Sequence, residues 1–167
     1  MKQGRIKMSR ISKDEYYRAV VEAITLRGTC DRGMAGAVIV KQGRIIATGH
    51  VGSPPGASHC DEVGHEIEFR RNKKGTEWTE TKHCVRTIHA ELNAILQAAR
   101  YGPTVEGAIL YCTMFPCYEC AKAIVNVGII EVKATHDYQR SERSKWLFSE
   151  LGVKWSVLYE KALSYET

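Results

Sequence analysis

Two short motifs constrain this chain more than anything else in it. Pro116-Cys117-Tyr118-Glu119-Cys120 places two thiols three residues apart behind a proline. Ile88-His89-Ala90-Glu91 places an imidazole and a carboxylate two positions apart. Thiols at i and i+3 share one face of a helix, so Cys117 and Cys120 can meet the same metal ion. In a first helical turn the macrodipole favours the thiolate form that zinc requires. Pro116 suits that entry, where an amide hydrogen has no partner to find. His89 and Glu91 obey a different geometry, because i and i+2 point to nearly opposite sides of a regular helix. Their helix has to begin right at His89 if both side chains are to face one centre.

The donor set specifies a chemistry. His89, Cys117 and Cys120 supply three metal ligands and leave the fourth position for water, which is the pattern of a catalytic rather than a closed structural zinc. Two thiolates cancel the ion's formal charge and weaken its pull on that water, so a nearby base is useful. Glu91 is placed to take the proton and later pass protons to a substrate nitrogen and a leaving amine. Taken alone, Cys-x-x-Cys fits a zinc knuckle or a redox pair, and a lone His-Ala-Glu means nothing. Together they match His-x-Glu followed by Pro-Cys-x-x-Cys, the signature of zinc nucleobase deaminases.

The remaining pattern predicts an α/β fold. Ser12-Lys13-Asp14-Glu15 has the form of a capping box, and Tyr17, Val20, Val21 and Ile24 continue at helical spacing up to Gly28. Gly36–Val40 and Ile45–Thr48 read as a β-hairpin, followed by a loop from Gly49 to Gly56. Helices are expected over Thr87–Ala99, Cys117–Val127 and Glu142–Leu151, the last with Trp146, Leu147 and Leu151 inward. Strands are expected over Ala108–Thr113, Ile129–Thr135 and Val153–Tyr159. The order implies a three-layer α-β-α arrangement, with a mixed five-stranded sheet and helices on both faces. Residues 1–167 read as a single domain carrying a polar insertion at about 60–83, within which a short helix is the most that the pattern offers.

Composition excludes several classes. No apolar run approaches the ~18 residues of a membrane span. The basic segment Met1 to Arg10 lacks the apolar stretch of a signal peptide. A cytoplasmic location is expected, and six cysteines there favour metal over disulfides. The net charge of +5 suits an anionic small molecule, and stable nucleic-acid binding is not expected because clustered basic runs are missing.

From about Cys30 to Leu151 the sequence resembles the cytidine deaminase superfamily, and within it the deoxycytidylate (dCMP) deaminases. The resemblance rests on Gly36–Val40, Thr48-Gly49-His50-Val51-Gly52-Ser53-Pro54, His59-Cys60-Asp61-Glu62, the run His83 to Ile95, Glu106-Gly107-Ala108 and Phe115 to Cys120. It implies zinc-dependent hydrolysis of dCMP to dUMP and ammonia, supplying dUMP for thymidylate synthesis. His89, Cys117 and Cys120 would hold the zinc and Glu91 would carry protons. It also implies a homo-oligomer, with dCTP and dTTP as activating and inhibiting effectors bound with magnesium (Mg2+).

Departures from the family bear on the substrate. The family's loop commonly reads Gly-Tyr-Asn-Gly-x-Pro, whereas His50 and Val51 stand in the tyrosine and asparagine places here, and valine cannot make the asparagine's hydrogen bond. Arg32 is the phosphate candidate, with Asn93 and Tyr138 as further substrate-binding candidates. Cys30, Cys60 and Cys84, with His59, His65 or His83, could close a second, structural zinc site like that of some phage-type relatives; otherwise they are small buried cysteines, as Cys112 is expected to be. The rival readings are a deaminase of a 5-substituted dCMP, of another cytosine nucleotide or of a tRNA base. A non-catalytic zinc-stabilised nucleotide-binding module, such as a DNA-uptake accessory protein, is the rival outside the enzymes.

Overall fold

The structure is a computed structural model and describes residues 9–74 and 77–163. The segment Met1–Met8, which holds most of the basic N-terminal run, lies outside the described residues.

Helix α1 (Lys13–Thr25) starts where the sequence expects it. Glu15 N–H donates to Ser12 Oγ at 3.2 Å, and Ser12 N–H donates to Glu15 Oε2 at 2.7 Å, so two otherwise orphaned amides are satisfied reciprocally. A 3-10 turn (Asp31–Gly33) leads into β1 (Gly36–Lys41) and β2 (Arg44–His50). Then come α2 (Cys60–Val63), β3 (Ile67–Lys74), β4 (Glu77–Cys84), α3 (Ala90–Tyr101), β5 (Ile109–Met114), α4 (Tyr118–Asn126), β6 (Glu131–Tyr138), α5 (Glu142–Glu150) and β7 (Lys154–Leu163).

Five strands form the main sheet in the order β2-β1-β5-β6-β7. β1 is antiparallel to both β2 and β5, while β5, β6 and β7 run parallel. Side-chain alternation divides β1 between two cores. Val38 and Val40 join Tyr17, Val21 and Tyr111 under α1. Ala37 and Ile39 join Leu110, Cys112, Val132 and Ala134 on the opposite face, under α3 and α4. Lys133 and Tyr111 both donate to Asp14 at 2.7–2.9 Å, which fastens α1 to β5 and β6.

Four local expectations are corrected. β2 runs on to His50, so Gly49 is strand rather than loop; it pairs with Ala37 and lies under α3, where only a glycine fits. Helix α3 begins at Ala90 rather than Thr87, because Ile88 is held in an extended bridge with Gly52. The insertion at 60–83 is α2 plus a two-stranded antiparallel sheet, β3–β4, with Ile67 paired to Cys84. In α5 the inward side chains are Ser144 and Phe148, with Leu147 beside them; Trp146 is 59% exposed and Leu151 56% exposed. Trp146 lies two positions from both Ser144 and Phe148, which turns it to the far side of the helix.

Candidate active site

Two helix starts converge at the carboxyl end of β5. His89 is the N-cap of α3, in extended conformation at φ −65° and ψ 150°, and Cys117 is the N-cap of α4 at φ −65° and ψ 166°. An extended residue just before a helix is what allows His89 and Glu91 to turn toward the same point. Phe115 fixes the other side. It is fully buried against Phe148 (ring centroids 5.8 Å apart) and meets Trp155 edge-on, so Pro116-Cys117 leaves the sheet from a rigid base.

His89 Nδ1 lies 3.4 Å from Cys117 Sγ and 3.5 Å from Cys120 Sγ. Tetrahedral zinc, with Zn–S about 2.3 Å and Zn–N about 2.0 Å, spaces nitrogen and sulfur ligands roughly 3.6 Å apart. Both nitrogen–sulfur pairs therefore stand at the separation a zinc ion imposes, and all three donors lie within 4.8 Å of one another. Glu91 is buried beside them, its Oε2 3.9 Å from Cys120 Sγ. Burial raises its carboxyl from 4.5 to about 6, with His89 opposing and Cys117 adding to the rise. The Cys120 thiol donating to it, followed by His89, holds Cys117 down at about 4 against the effect of burial. The same bond pushes the Cys120 thiol upward. Cys112 is fully buried in the core of the sheet.

A second cluster brings Cys30, Cys60, Cys84 and His65 together, with donor atoms all within 4.8 Å of one another. Cys60 Sγ and Cys84 Sγ are 3.6 Å apart, and Cys30 Sγ is 3.7 Å from His65 Nδ1. Tetrahedral zinc gives about 3.8 Å and 3.6 Å for these pairs. His65 Nε2 meets Asp31 Oδ1 at 3.0 Å, so a carboxylate orients the ring from behind. Burial pushes the Cys60 thiol up to about 12. At Cys84 burial acts in the same direction, but the Arg86 backbone amide and His65 outweigh it and hold the thiol at about 7. Among the three histidines open on sequence grounds, His65 is the one in this cluster, and Asp31 was not foreseen. Nothing in the spacing of Asp31, Cys60 and His65 marks them as neighbours; the β3–β4 hairpin, which returns Cys84 to Ile67, creates the cluster.

The substrate-side candidates sit differently. Asn93 donates its side-chain amide to the His50 carbonyl at 2.8 Å, joining α3 to the end of β2. Arg32 is half-buried, with Nη2 3.5 Å from the Lys82 carbonyl of β4. Tyr138 is buried at the end of β6. Among the described residues, no helix is long and apolar enough to cross a membrane.

The family model for the cytidine and deoxycytidylate deaminase zinc-binding region matches residues 11–135. ComE operon protein 2 of Bacillus subtilis is 39% identical over 146 residues, covering 87% of this chain and 71% of that protein. The deoxycytidylate deaminase of Enterobacteria phage T2 is 34% identical, covering 71% and 77% respectively. The crystal structure of dCMP deaminase from the cyanophage S-TIM5 in complex with dCMP and dUMP superposes with a TM-score of 0.70 at 25% identity, covering 90% of this chain and 99% of that one.

Proposed function

The chain belongs to the cytidine and deoxycytidylate deaminase zinc-binding family, and on that premise we propose that it hydrolyses dCMP to dUMP and ammonia. The observation that carries the reading is the triangle of His89, Cys117 and Cys120 with a buried carboxylate, Glu91, at its side. These donors fit zinc, which when bound supplies Lewis-acid activation of water. Glu91 takes the proton of the attacking water and delivers it to the ring nitrogen next to the reacting carbon. It then takes the second proton, from the hydroxyl newly added to the carbon, and passes it to the amine as the carbon–nitrogen bond breaks, which leaves a carbonyl and releases ammonia. Its raised carboxyl suits this exchange, because a group titrating near neutrality both accepts and releases protons readily.

On the substrate side, Arg32 contributes a cation for the phosphate and Tyr138 a wall for the nucleotide, while Asn93 acts by holding the His50 carbonyl. The cluster of Cys30, Cys60, Cys84 and His65 holds a second zinc, closed by four protein donors and therefore structural. Its fit to tetrahedral spacing and the Asp31 carboxylate behind His65 support this. The whole forms one deaminase domain with 60–83 as an insertion, acting in the cytoplasm as a homo-oligomer. Control by dCTP and dTTP with Mg2+ is part of the reading through the family resemblance, although His50 and Val51 replace two residues of the family's loop.

An ultraviolet assay of the purified protein against dCMP, dCTP, deoxycytidine and a 5-substituted dCMP tests the activity. Deamination with dCMP preferred is expected; no deamination of any of the four would overturn the reading. Metal analysis is expected to give two zinc per chain in the parent protein and one in Cys84→Ser. One zinc in both would remove the structural site.

A further inference from the structure

The carboxyl end of β6 is held by side chains more than by the sheet. Its pairing with β5 reaches only to His136 opposite Met114, and its register with β7 shifts between His136 and Tyr138. Regular pairing thus loosens just where Tyr138, the wall assigned to the nucleotide, stands buried. Local bonds take over. The Tyr138 amide donates to Asp137 Oδ1 at 2.8 Å, and the Tyr138 carbonyl accepts from the Ser141 amide at 2.9 Å. Lys145, on the first turns of α5, donates its ammonium to Asp137 Oδ2 at 2.6 Å and its backbone amide to the Ser141 carbonyl at 2.8 Å.

The Lys145–Asp137 pair lies largely out of water, with side chains 25% and 17% exposed. Burial raises the Asp137 carboxyl, but Lys145, Ser141 and the Tyr138 amide outweigh it and keep the group below its ordinary value. Taking away either charge leaves the other half-buried and uncompensated. The same ammonium stands 5.3 Å from the ring centroids of both Phe115 and Trp155, which meet edge-on at 5.6 Å. Phe115 precedes Pro116-Cys117, and its amide donates to the His136 carbonyl at 2.9 Å. One side chain therefore braces the strand end that carries Tyr138 against the residue from which the metal-ligand turn departs.

We propose that Lys145 is a positioning residue for the nucleotide: through its bond to Asp137 it sets where Tyr138 stands against the ligand. The inference rests on the dCMP reading above and adds a residue that never touches the substrate yet governs how tightly it is held.

Calorimetric titration of the zinc-replete protein with dUMP tests this in a double-mutant cycle. Lys145→Met keeps a long stem over Phe115 and Trp155 but removes the charge, and should weaken dUMP roughly tenfold at parental zinc content. Lys145→Arg, which can still donate to Asp137, should recover most of that loss. If Lys145 acts through Tyr138, Lys145→Met adds no more than about twofold to the loss already caused by Tyr138→Ala. Asp137→Asn breaks the same charge pair from the other side while its side-chain oxygen can still accept from the Tyr138 amide. It should match Lys145→Met, and it keeps the test open should Lys145→Met fail to fold. Parental dUMP affinity in either variant overturns the inference, and so do losses that multiply in the double variant. A parent protein that binds no dUMP refutes the substrate reading and the inference with it, so the parent alone tells the two failures apart.

Discussion

Gly49→Ala tests whether the crossing of β2 beneath α3 sets the geometry of the reaction centre. The new Cβ would lie 2.3 Å from the Ala90 carbonyl oxygen and 2.4 Å from the Ala94 amide nitrogen, both of them backbone atoms that cannot rotate away. Ordinary contact begins near 3.4 Å, so the first turn of α3 must retreat by roughly 1 Å. That turn carries Glu91 and is preceded by His89, whereas Cys117 and Cys120 stand on α4 and do not move with it. A displacement of about 1 Å at a reacting group costs on the order of 100-fold in rate. Overpacking of this kind costs about 1–3 kcal/mol, and for a chain of this length 2 kcal/mol corresponds to a drop of about 4–8 °C in Tm. The assay pairs a thermal melt with steady-state turnover of dCMP at fixed zinc content. A Gly49→Ala protein with parental Tm and parental kcat would refute the argument that this crossing positions His89 and Glu91.

Two further expectations follow from the same geometry. Burial, the largest cause, carries the Glu91 carboxyl from 4.5 to about 6, and a bound cation lowers it again, so the acid limb of kcat/KM should fall between those values. Because Glu91 works first as a base, activity should be lost as pH drops through that limb, and a limb absent down to pH 4 would exclude the role. Phe148→Ala removes the ring packed on Phe115 at 5.8 Å and should destabilise by about 3–5 kcal/mol, read from urea unfolding; a loss under 1 kcal/mol would show that Phe115 does not depend on it.

The sequence carried the main sheet and the metal triangle because both are written in short-range patterns. The capping box at Ser12, the paired apolar runs of β1 and β2 and the i, i+3 thiols each declare their geometry within a few residues. Even the extended conformation of His89 follows from requiring His89 and Glu91 to face one point. The thiol cluster was legible only as an inventory of soft ligands. His65 joins it through the β3–β4 pairing, and that hairpin is too polar for its period to stand out. Trp146 misled for a related reason: a large apolar residue invites an inward placement, yet the small Ser144 and the ring of Phe148 set the buried face of α5. The end of β2 was hidden by Gly49, whose lack of a side chain reads as a loop signal while serving the close approach of α3.

The most direct test of the account is turnover of dCMP by zinc-replete Glu91→Gln, measured beside its metal content. The substitution keeps the size of the side chain and leaves His89, Cys117 and Cys120 untouched, so zinc content should match the parent protein. Conversion of dCMP to dUMP should fall by about 100-fold or more, the scale of a lost general acid–base. Parental turnover at parental zinc content would contradict the central claim that Glu91 carries the protons of this reaction.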